Sequence, residues 1–283
     1  MASSPTLRRR RLSWRLRELR EQAGLTADEV TNQAHERGAS RWSASKITRI
    51  ERNEWVRPKV EDVELLLDIY RVDDPGERDA IVILAKQARQ RGWWVGYADV
   101  LGKGTLTGLE PEASVVRTFE LAVIPGLLQT EGYARALIAS SGITDAAEID
   151  RRVEARMMRK QILARSDAPR YWAIIDESAL RKIPRELREE QLRHLVQVQR
   201  PNLRVQVLPD SIGPHAGMMG QFLILDFPED PSVVYVEGHT TQLFHEEPEE
   251  VERYKLLYDY VQSTALSVDE SRALLERMLE SRT

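Results

Sequence analysis

The side chains best suited to chemistry lie close together in one short segment near the start of the chain. Hydroxyl, ammonium and guanidinium donors occur there within eight residues, on Ser45, Lys46, Thr48, Arg49 and Arg52. Groups of these types hydrogen-bond to phosphate oxygens and to the base edges of duplex DNA. The segment therefore indicates contact with double-stranded DNA, provided that one helix presents these donors together.

Two helices joined by a turn would position these donors. Thr26 has the type and spacing of a capping-box residue, and Ser43 is a suitable N-cap for a helix over 44–53. In that helix Ile47 and Ile50 share one face and can be buried, which leaves the donors outside. We predict a helix-turn-helix whose third helix enters the major groove. The predicted DNA-binding residues are Thr26, Ser43, Ser45, Lys46, Thr48, Arg49 and Arg52.

Apolar residues recur at helical spacing over most of the first ninety residues. The pattern predicts five helices, of which the first covers 12–23 and the last covers 75–89. We therefore predict an all-α domain over 1–90. The arginine run at 8–11 precedes these helices, and we expect it to be either an arm on DNA phosphates or in the minor groove, or a disordered tail.

Charge is segregated along this chain of 283 residues, whose net charge is −4. Residues 1–57 contain 13 Lys and Arg against 7 Asp and Glu, whereas residues 230–283 contain 5 against 12. The basic end can hold phosphate and the acidic end repels it, so we expect one DNA-binding surface near the N-terminus. The lack of cysteine excludes disulfides and thiolate metal sites. Because no long apolar run occurs, we predict a cytoplasmic protein that does not enter a membrane.

The remainder of the chain divides into a connection and a second domain. Glycines accumulate over 91–112, which predicts a connection, and Trp93, Trp94 and Tyr97 indicate that it packs on one domain or contributes to a binding site. Beyond it, we predict an α+β domain over 113–283 with a small mixed sheet, so that the chain is multidomain. The predicted strands are 171–175, 203–208, 222–227 and 233–236. Alternation in the second of these indicates one solvent-exposed face.

Two runs in the N-terminal region carry a resemblance to a known family. They are LRELREQAGLT over 16–26 and SKITRIER over 45–52. Both resemble the pattern of Xre-type, lambda-repressor-like regulators. The resemblance implies that Ser45, Lys46 and Arg49 face DNA and that Glu51 braces the fold. The chain departs from the pattern by a longer turn over 35–42 and by Asn53 in place of the usual glycine.

The C-terminal region resembles the WhiJ-like group of actinobacterial Xre-type regulators, which have an antitoxin-like C-terminal domain. The matching runs include IPGLLQTEGYAR over 124–135, DESALR over 176–181 and ALSVDES over 265–271. The resemblance implies a transcription regulator that binds a ligand or a small protein partner, which in this group is often encoded by a neighbouring gene. A single predicted recognition helix per chain further indicates a homodimer on DNA.

A catalytic constellation is missing from the sequence. There is no cysteine nucleophile and no Gly-x-Ser-x-Gly elbow, and the histidines do not form a pair at zinc-protease spacing. We therefore predict that the chain is not an enzyme and holds no metal ion or cofactor. The alternative is a DNA-tethered enzyme with an unidentified activity in the C-terminal domain.

Two segments of the predicted second domain leave alternatives open. The loop 210–220 contains three glycines and two methionines, so it is either an ordinary long hairpin connection or an adaptable surface for a ligand or partner. The basic residues over 151–160 form either a second basic patch or, because acidic residues are interspersed, a solvated helix face.

Overall fold

The structure is a computed structural model that describes residues 4–55, 57–101, 104–238 and 241–281. The chain forms two compact units, Met1–Val95 and Gly96–Thr283. Each unit has its own apolar core.

The described part of the N-terminal unit is helical. Its helices are α1 (Pro5–Gln22), α2 (Ala27–Glu36), α3 (Ala44–Glu51), α4 (Val60–Ile69) and α5 (Pro75–Ala88). Leu16, Val30, Ile47, Leu66 and Ile81, one from each helix, are buried in a common core. This arrangement confirms the predicted five-helix domain, because apolar stripes at helical spacing must be covered by neighbouring helices.

The first helix begins earlier than the sequence pattern predicted. Ser4 caps α1 by accepting a hydrogen bond from the backbone N–H of Leu7, and Pro5 occupies the first turn. The arginine run therefore lies within a helix, and its prediction as an arm or a disordered tail is wrong. Arg8 and Arg10 are buried, and Arg8 donates to the Gln90 side chain over 3.0 Å. The long apolar stems of arginine allow such packing, which residue type alone does not reveal.

The C-terminal unit contains a mixed six-stranded sheet, ordered β3-β2-β1-β4-β5-β6. The strands are β1 (Val115–Glu120), β2 (Arg170–Asp176), β3 (Leu203–Leu208), β4 (Phe222–Asp226), β5 (Val233–Glu237) and β6 (Gln242–His245). β1, β2 and β3 are mutually parallel, whereas β4, β5 and β6 add in antiparallel fashion. The predicted mixed sheet is confirmed. The sequence analysis missed β1 and the short edge strand β6, because neither shows a strong period-two pattern.

Helices cover the sheet and also occupy most of the predicted connection. They are α6 (Ala98–Leu101), α7 (Thr105–Leu109), α8 (Glu131–Ser140), α9 (Ala146–Lys160), α10 (Glu177–Arg181), α11 (Arg185–Gln197), α12 (Pro248–Thr264) and α13 (Val268–Glu280). A 3-10 turn over Trp93–Tyr97 precedes α6, and Trp94 in it is buried. The described part of 91–112 is thus largely helical instead of irregular: Gly96 and Gly108 lie within short helical segments, and Gly104 precedes one.

The expected solvent-exposed face of β3 is present only at Arg204. Gln206, on the same face, is buried. Its side-chain oxygen accepts a hydrogen bond from Trp172 Nε1 over 2.7 Å, and its amide donates to the Leu266 carbonyl over 2.7 Å. These contacts satisfy the polar groups of Gln206, so the strand can be covered without leaving an unpaired amide.

The loop that follows β3 is not a hairpin connection, because β3 and β4 are not neighbours in the sheet. Two 3-10 turns, Asp210–Ile212 and Ala216–Met219, shape it. Nε2 of His215 lies 3.4 Å from Oδ2 of Asp176, and Nδ1 of the same ring accepts from the Gly217 N–H. The loop is therefore fixed to the sheet, while Met219 at its tip is exposed.

Replacing Gly217 by alanine should destabilise the C-terminal unit. A Cβ atom at this position would lie 2.5 Å from Cζ of Phe119, whose side chain is fully buried. We expect a loss of about 1 to 3 kcal/mol in the free energy of unfolding, the usual cost of overpacking. Urea denaturation measures it. The matched control Gly96→Ala meets nothing within 4 Å, and equal stability of the two variants would contradict the prediction.

Candidate nucleic-acid interface

The third helix is positioned by its cap and by two apolar side chains. Ser43 is extended and its hydroxyl accepts a hydrogen bond from the Lys46 N–H over 3.2 Å, which starts α3. Ile47 and Ile50 are buried in the core of the N-terminal unit. Because these two residues fix the rotation of α3, its opposite face is presented to solvent.

The exposed face of α3 contains three of the predicted DNA-binding residues. Ser45, Arg49 and Arg52 are exposed and lie four and three residues apart, which places them on one side of the helix. Among the described residues, no side chain forms an ion pair or hydrogen bond with either arginine. Two guanidinium groups with free donors can approach phosphates or guanine edges directly.

Lys46 is placed differently from its neighbours on α3. Its Nζ lies 2.9 Å from Oδ2 of Asp62 on α4 and 3.9 Å from the centroid of the Trp42 ring. The side chain is half-buried by these contacts. Lys46 would therefore have to exchange an ion pair within the protein for a contact with DNA, so we expect it to contribute less than Arg49.

The three hydroxyl residues Thr26, Ser43 and Thr48 are engaged in local structure. Thr26 and Glu29 form the predicted capping box at the start of α2, and hydrogen bonds from Thr26 lower the pKa of the Glu29 carboxyl. Thr48 donates its hydroxyl to the Ala44 carbonyl over 3.0 Å. Hydroxyl oxygens can still accept or rotate toward DNA, and their predicted contacts with it stay predictions.

Glu51 connects α3 to α1. Its carboxylate receives two hydrogen bonds from Arg20, with Nε–Oε1 at 2.6 Å and Nη2–Oε2 at 2.9 Å. Arg20 also donates to the Leu25 carbonyl over 2.7 Å, in the turn before α2. Hydrogen bonding to Glu51 raises the pKa of Arg20. The bracing role implied for Glu51 by the family resemblance is thus present, since the bidentate pair ties α3 to α1 and Arg20 continues to the turn before α2.

Both departures from the family pattern are accommodated locally. In the longer turn, Gly38 has a φ of +87°, and the Ala39 N–H donates back to the Ala34 carbonyl. Trp42 from this turn is buried in the core. Asn53 adopts a φ of +56°, which asparagine tolerates better than most residues, and its side-chain oxygen accepts from Arg9 Nε over 2.9 Å.

The longer turn also brings a residue that the sequence analysis did not select. Arg41 is exposed and lies two residues before the N-cap Ser43. Its position, next to the start of α3, adds a further guanidinium beside the part of a recognition helix that approaches bases. The basic character of the turn was visible in the sequence, but its proximity to the interface depends on how the turn folds.

The comparisons with known proteins agree with this geometry. Residues 11–81 match a helix-turn-helix domain, so the N-terminal unit belongs to the class of folds that supports DNA-binding regulators. Residues 104–277 match a family described as a domain of unknown function (DUF5753). The chain belongs to this DUF5753 family.

Two further comparisons, with curated proteins and with solved structures, gave no match. Within the described ranges of the chain, no helix combines the length and apolar character needed to cross a membrane.

Removing the charge of Glu51 should destabilise the N-terminal unit. In Glu51→Gln, the half-buried Arg20 guanidinium loses its bidentate carboxylate partner and keeps only the longer, more exposed pair with Glu21, and we expect the free energy of unfolding to fall by about 3 kcal/mol. Tryptophan fluorescence during urea denaturation measures this, because five of the six tryptophans lie in this unit. The control Asp68→Asn removes an exposed carboxylate that pairs with Arg78 and does not contact Arg20, so it should cost less than about 1 kcal/mol. An equal effect of both substitutions would refute the bracing role.

Proposed function

We propose that this protein is a sequence-specific, DNA-binding transcriptional regulator that inserts α3 into the major groove. The observation that carries the proposal is the exposed face of Ser45, Arg49 and Arg52 opposite the buried Ile47 and Ile50. Within this proposal, Arg49 and Ser45 contact base edges. Arg52 and Arg41 contact phosphates.

The finer identity is also part of the proposal. The resemblance to WhiJ-like, Xre-type regulators supports a cytoplasmic regulator whose C-terminal, antitoxin-like domain binds a small protein partner or a ligand. The acidic residues at the end of the chain support this division of labour, because they disfavour a second DNA-binding surface there. The proposal assigns no catalytic step to the C-terminal unit.

For such a partner or ligand to regulate, it must discriminate between the DNA-bound and free states of the protein. A molecule with equal affinity for both states shifts neither population. The coupling is reciprocal, so an effector that weakens DNA binding by a given factor is itself bound more weakly, by the same factor, in the presence of DNA.

The recognition surface is tested by Arg49→Ala. An operator is first selected from a random pool of duplexes with the full chain, and affinity is then measured by fluorescence anisotropy. We expect Arg49→Ala to weaken operator binding by about 1 to 3 kcal/mol and to relax preference at one base pair, because a bidentate base contact is lost. Lys46→Ala should have a smaller effect, since Lys46 is paired with Asp62.

The control is Arg193→Ala, which removes an exposed arginine on α11 of the C-terminal unit. It changes net charge by the same amount and should leave operator affinity unchanged. If Arg49→Ala binds the operator with wild-type affinity and keeps the wild-type preference at every base pair, the assignment of α3 as the recognition helix is refuted.

We further expect two chains to bind each operator. Each chain contributes one short recognition helix, α3, and a single helix of this length contacts too few base pairs for high specificity. Sedimentation velocity of the complex should give a ratio of two chains to one duplex, and the selected operator should contain two half-sites about one helical turn apart. A one-to-one complex on a site without repeated half-sites would contradict this expectation.

A further inference from the structure

The C-terminal unit encloses a cavity of about 150 Å³ that the proposed DNA interface does not use. One face of the sheet forms part of its lining, with side chains from β1, β4 and β5 that lie next to each other across the strands. Thr118 pairs with Leu223, which pairs with Tyr235, and Glu120 and Glu237 follow two residues later on their own strands. Because β1 and β5 run in the same direction, both glutamates lie at the same edge of the sheet.

The cavity contains a carboxyl group that lacks a cationic partner. The Glu120 side chain accepts one hydrogen bond, from Thr118 Oγ1 over 3.3 Å, and no ion pair forms with it among the described residues. Burial, and to a smaller extent the nearby Glu237, raise the pKa of Glu120 to about 8. At pH 7 this carboxyl is therefore mostly protonated, although ionisation costs little.

The opposite wall contains two arginines of α9, and only one of them is neutralised. Arg159 forms a bidentate pair with Glu110, at 2.5 and 2.6 Å, and Glu110 is fully buried. Arg156 has no such carboxylate. Its Nη1 donates to the amide oxygen of Gln129 over 2.7 Å, and burial lowers the pKa of the guanidinium. These arginines were expected on a basic patch or a solvated face, yet both line the cavity.

Glu120 and Arg156 thus share one cavity, but they form no salt bridge with each other. The rest of the lining is mainly apolar and includes Ile124, Leu127 and Leu223. An ionisable carboxyl, a guanidinium without a carboxylate partner and an apolar wall together define a ligand with three features. It has an ammonium, a carboxylate a few ångströms away, and a hydrocarbon side chain.

We propose that this cavity binds a free α-amino acid with an apolar side chain, with its ammonium at Glu120 and its carboxylate at Arg156. Both ionic groups of the protein then gain a partner inside a low-dielectric site, where unpaired charge is costly. The apolar side chain replaces water against Ile124, Leu127 and Leu223.

Other ligand classes fit the lining less well. A simple amine provides no counter-ion for Arg156, and a simple carboxylate provides none for Glu120. A hydrocarbon provides a partner for neither residue. Nucleotides and drug-sized molecules require larger sites, because about 150 Å³ corresponds to a cavity that admits a benzene ring.

Ligand binding at this place can be transmitted to the surrounding segments. Gln129 accepts from Arg156 and donates its amide to the Ile124 carbonyl over 2.7 Å, so one side chain links α9 to the segment that forms the apolar wall. A ligand carboxylate that takes the donors of Arg156 competes with this link. Any regulatory consequence rests on the proposed function, whereas ligand binding itself does not.

The test is isothermal titration calorimetry of the full chain without DNA. L-valine, L-leucine, L-methionine and L-phenylalanine are titrated first, and the tightest binder is then compared with the amine and the carboxylic acid that share its side chain. We expect one amino acid to bind at least tenfold more tightly than both analogues. Failure of all four at millimolar concentration, or equal binding of an analogue, would overturn the proposal.

Variants connect binding to the cavity. Glu120→Gln and Arg156→Met should each weaken amino-acid binding at least tenfold. The control Glu189→Gln, at an exposed position of α11, should bind like the wild type. Circular dichroism checks that each variant is folded. Undiminished binding in a folded Glu120→Gln would show that the amino acid binds elsewhere and would refute the site.

A proton measurement on the unaltered protein is independent of folding in the variants. The ammonium requires ionised Glu120, so binding at pH 7 should release close to one proton, and affinity should fall roughly tenfold per pH unit below the pKa of Glu120. Other titratable groups near Glu120 are Glu237 of β5, Arg156 and Arg159 of α9, and Tyr133 of α8 and Tyr171 of β2, whose pKa values are raised by burial. Binding without proton release, or with proton uptake, would contradict the assigned role of Glu120.

The outcome is separable from that of the DNA experiment. Arg49→Ala should retain amino-acid binding, so a protein that binds an amino acid but no operator supports the cavity and refutes the proposed regulator. Operator binding without amino-acid binding supports the regulator and refutes the cavity as an amino-acid site.

Discussion

The bidentate pair between Arg20 and Glu51 is the contact on which the proposed DNA interface depends. It joins α1 to α3, and the further hydrogen bond from Arg20 to the Leu25 carbonyl fixes the turn before α2. Ile47 and Ile50 determine which side of α3 faces inward, but apolar contacts are not directional. The ion pair fixes the orientation of α3 relative to α1, because a planar guanidinium donates two hydrogen bonds to a carboxylate in only a few orientations.

A charged or polar group that is removed from water needs a partner, and the C-terminal unit contains several examples of such pairing. The fully buried carboxylate of Glu110 is paired with the half-buried guanidinium of Arg159. Buried Gln206 is satisfied by Trp172 and Leu266 in a comparable way without charge. In contrast, neither Glu120 nor Arg156 forms an ion pair among the described residues, and both line the same cavity.

The two proposed sites use the same chemistry in opposite surroundings. On α3, Arg49 and Arg52 are exposed, so their proposed contacts with DNA are weakened by salt. Specificity there depends on the fixed orientation of hydrogen bonds to the bases. In the cavity, Arg156 and Glu120 are half-buried, so a small ligand can be selected by the placement of two ionisable groups in a site of lower dielectric than the surface.

The sequence by itself determined features that depend on neighbouring residues. The caps at Thr26 and Ser43 were identified because an N-cap and its partner lie within three residues of each other. Apolar periodicity likewise identified α3 and the strands β2, β3, β4 and β5. The class of protein followed from these local patterns together with the basic residues of α3.

Only the tertiary structure decided which side chains meet across the chain. The sequence did not show that Arg8 packs against Gln90, that β1 and β6 complete the sheet, or that Gln206 is covered. Likewise, Arg156 has the spacing of a solvated helix face and yet lines a cavity with Glu120. The physical reason is that burial of a polar residue depends on whether a distant partner satisfies it, and sequence spacing carries no information about that partner.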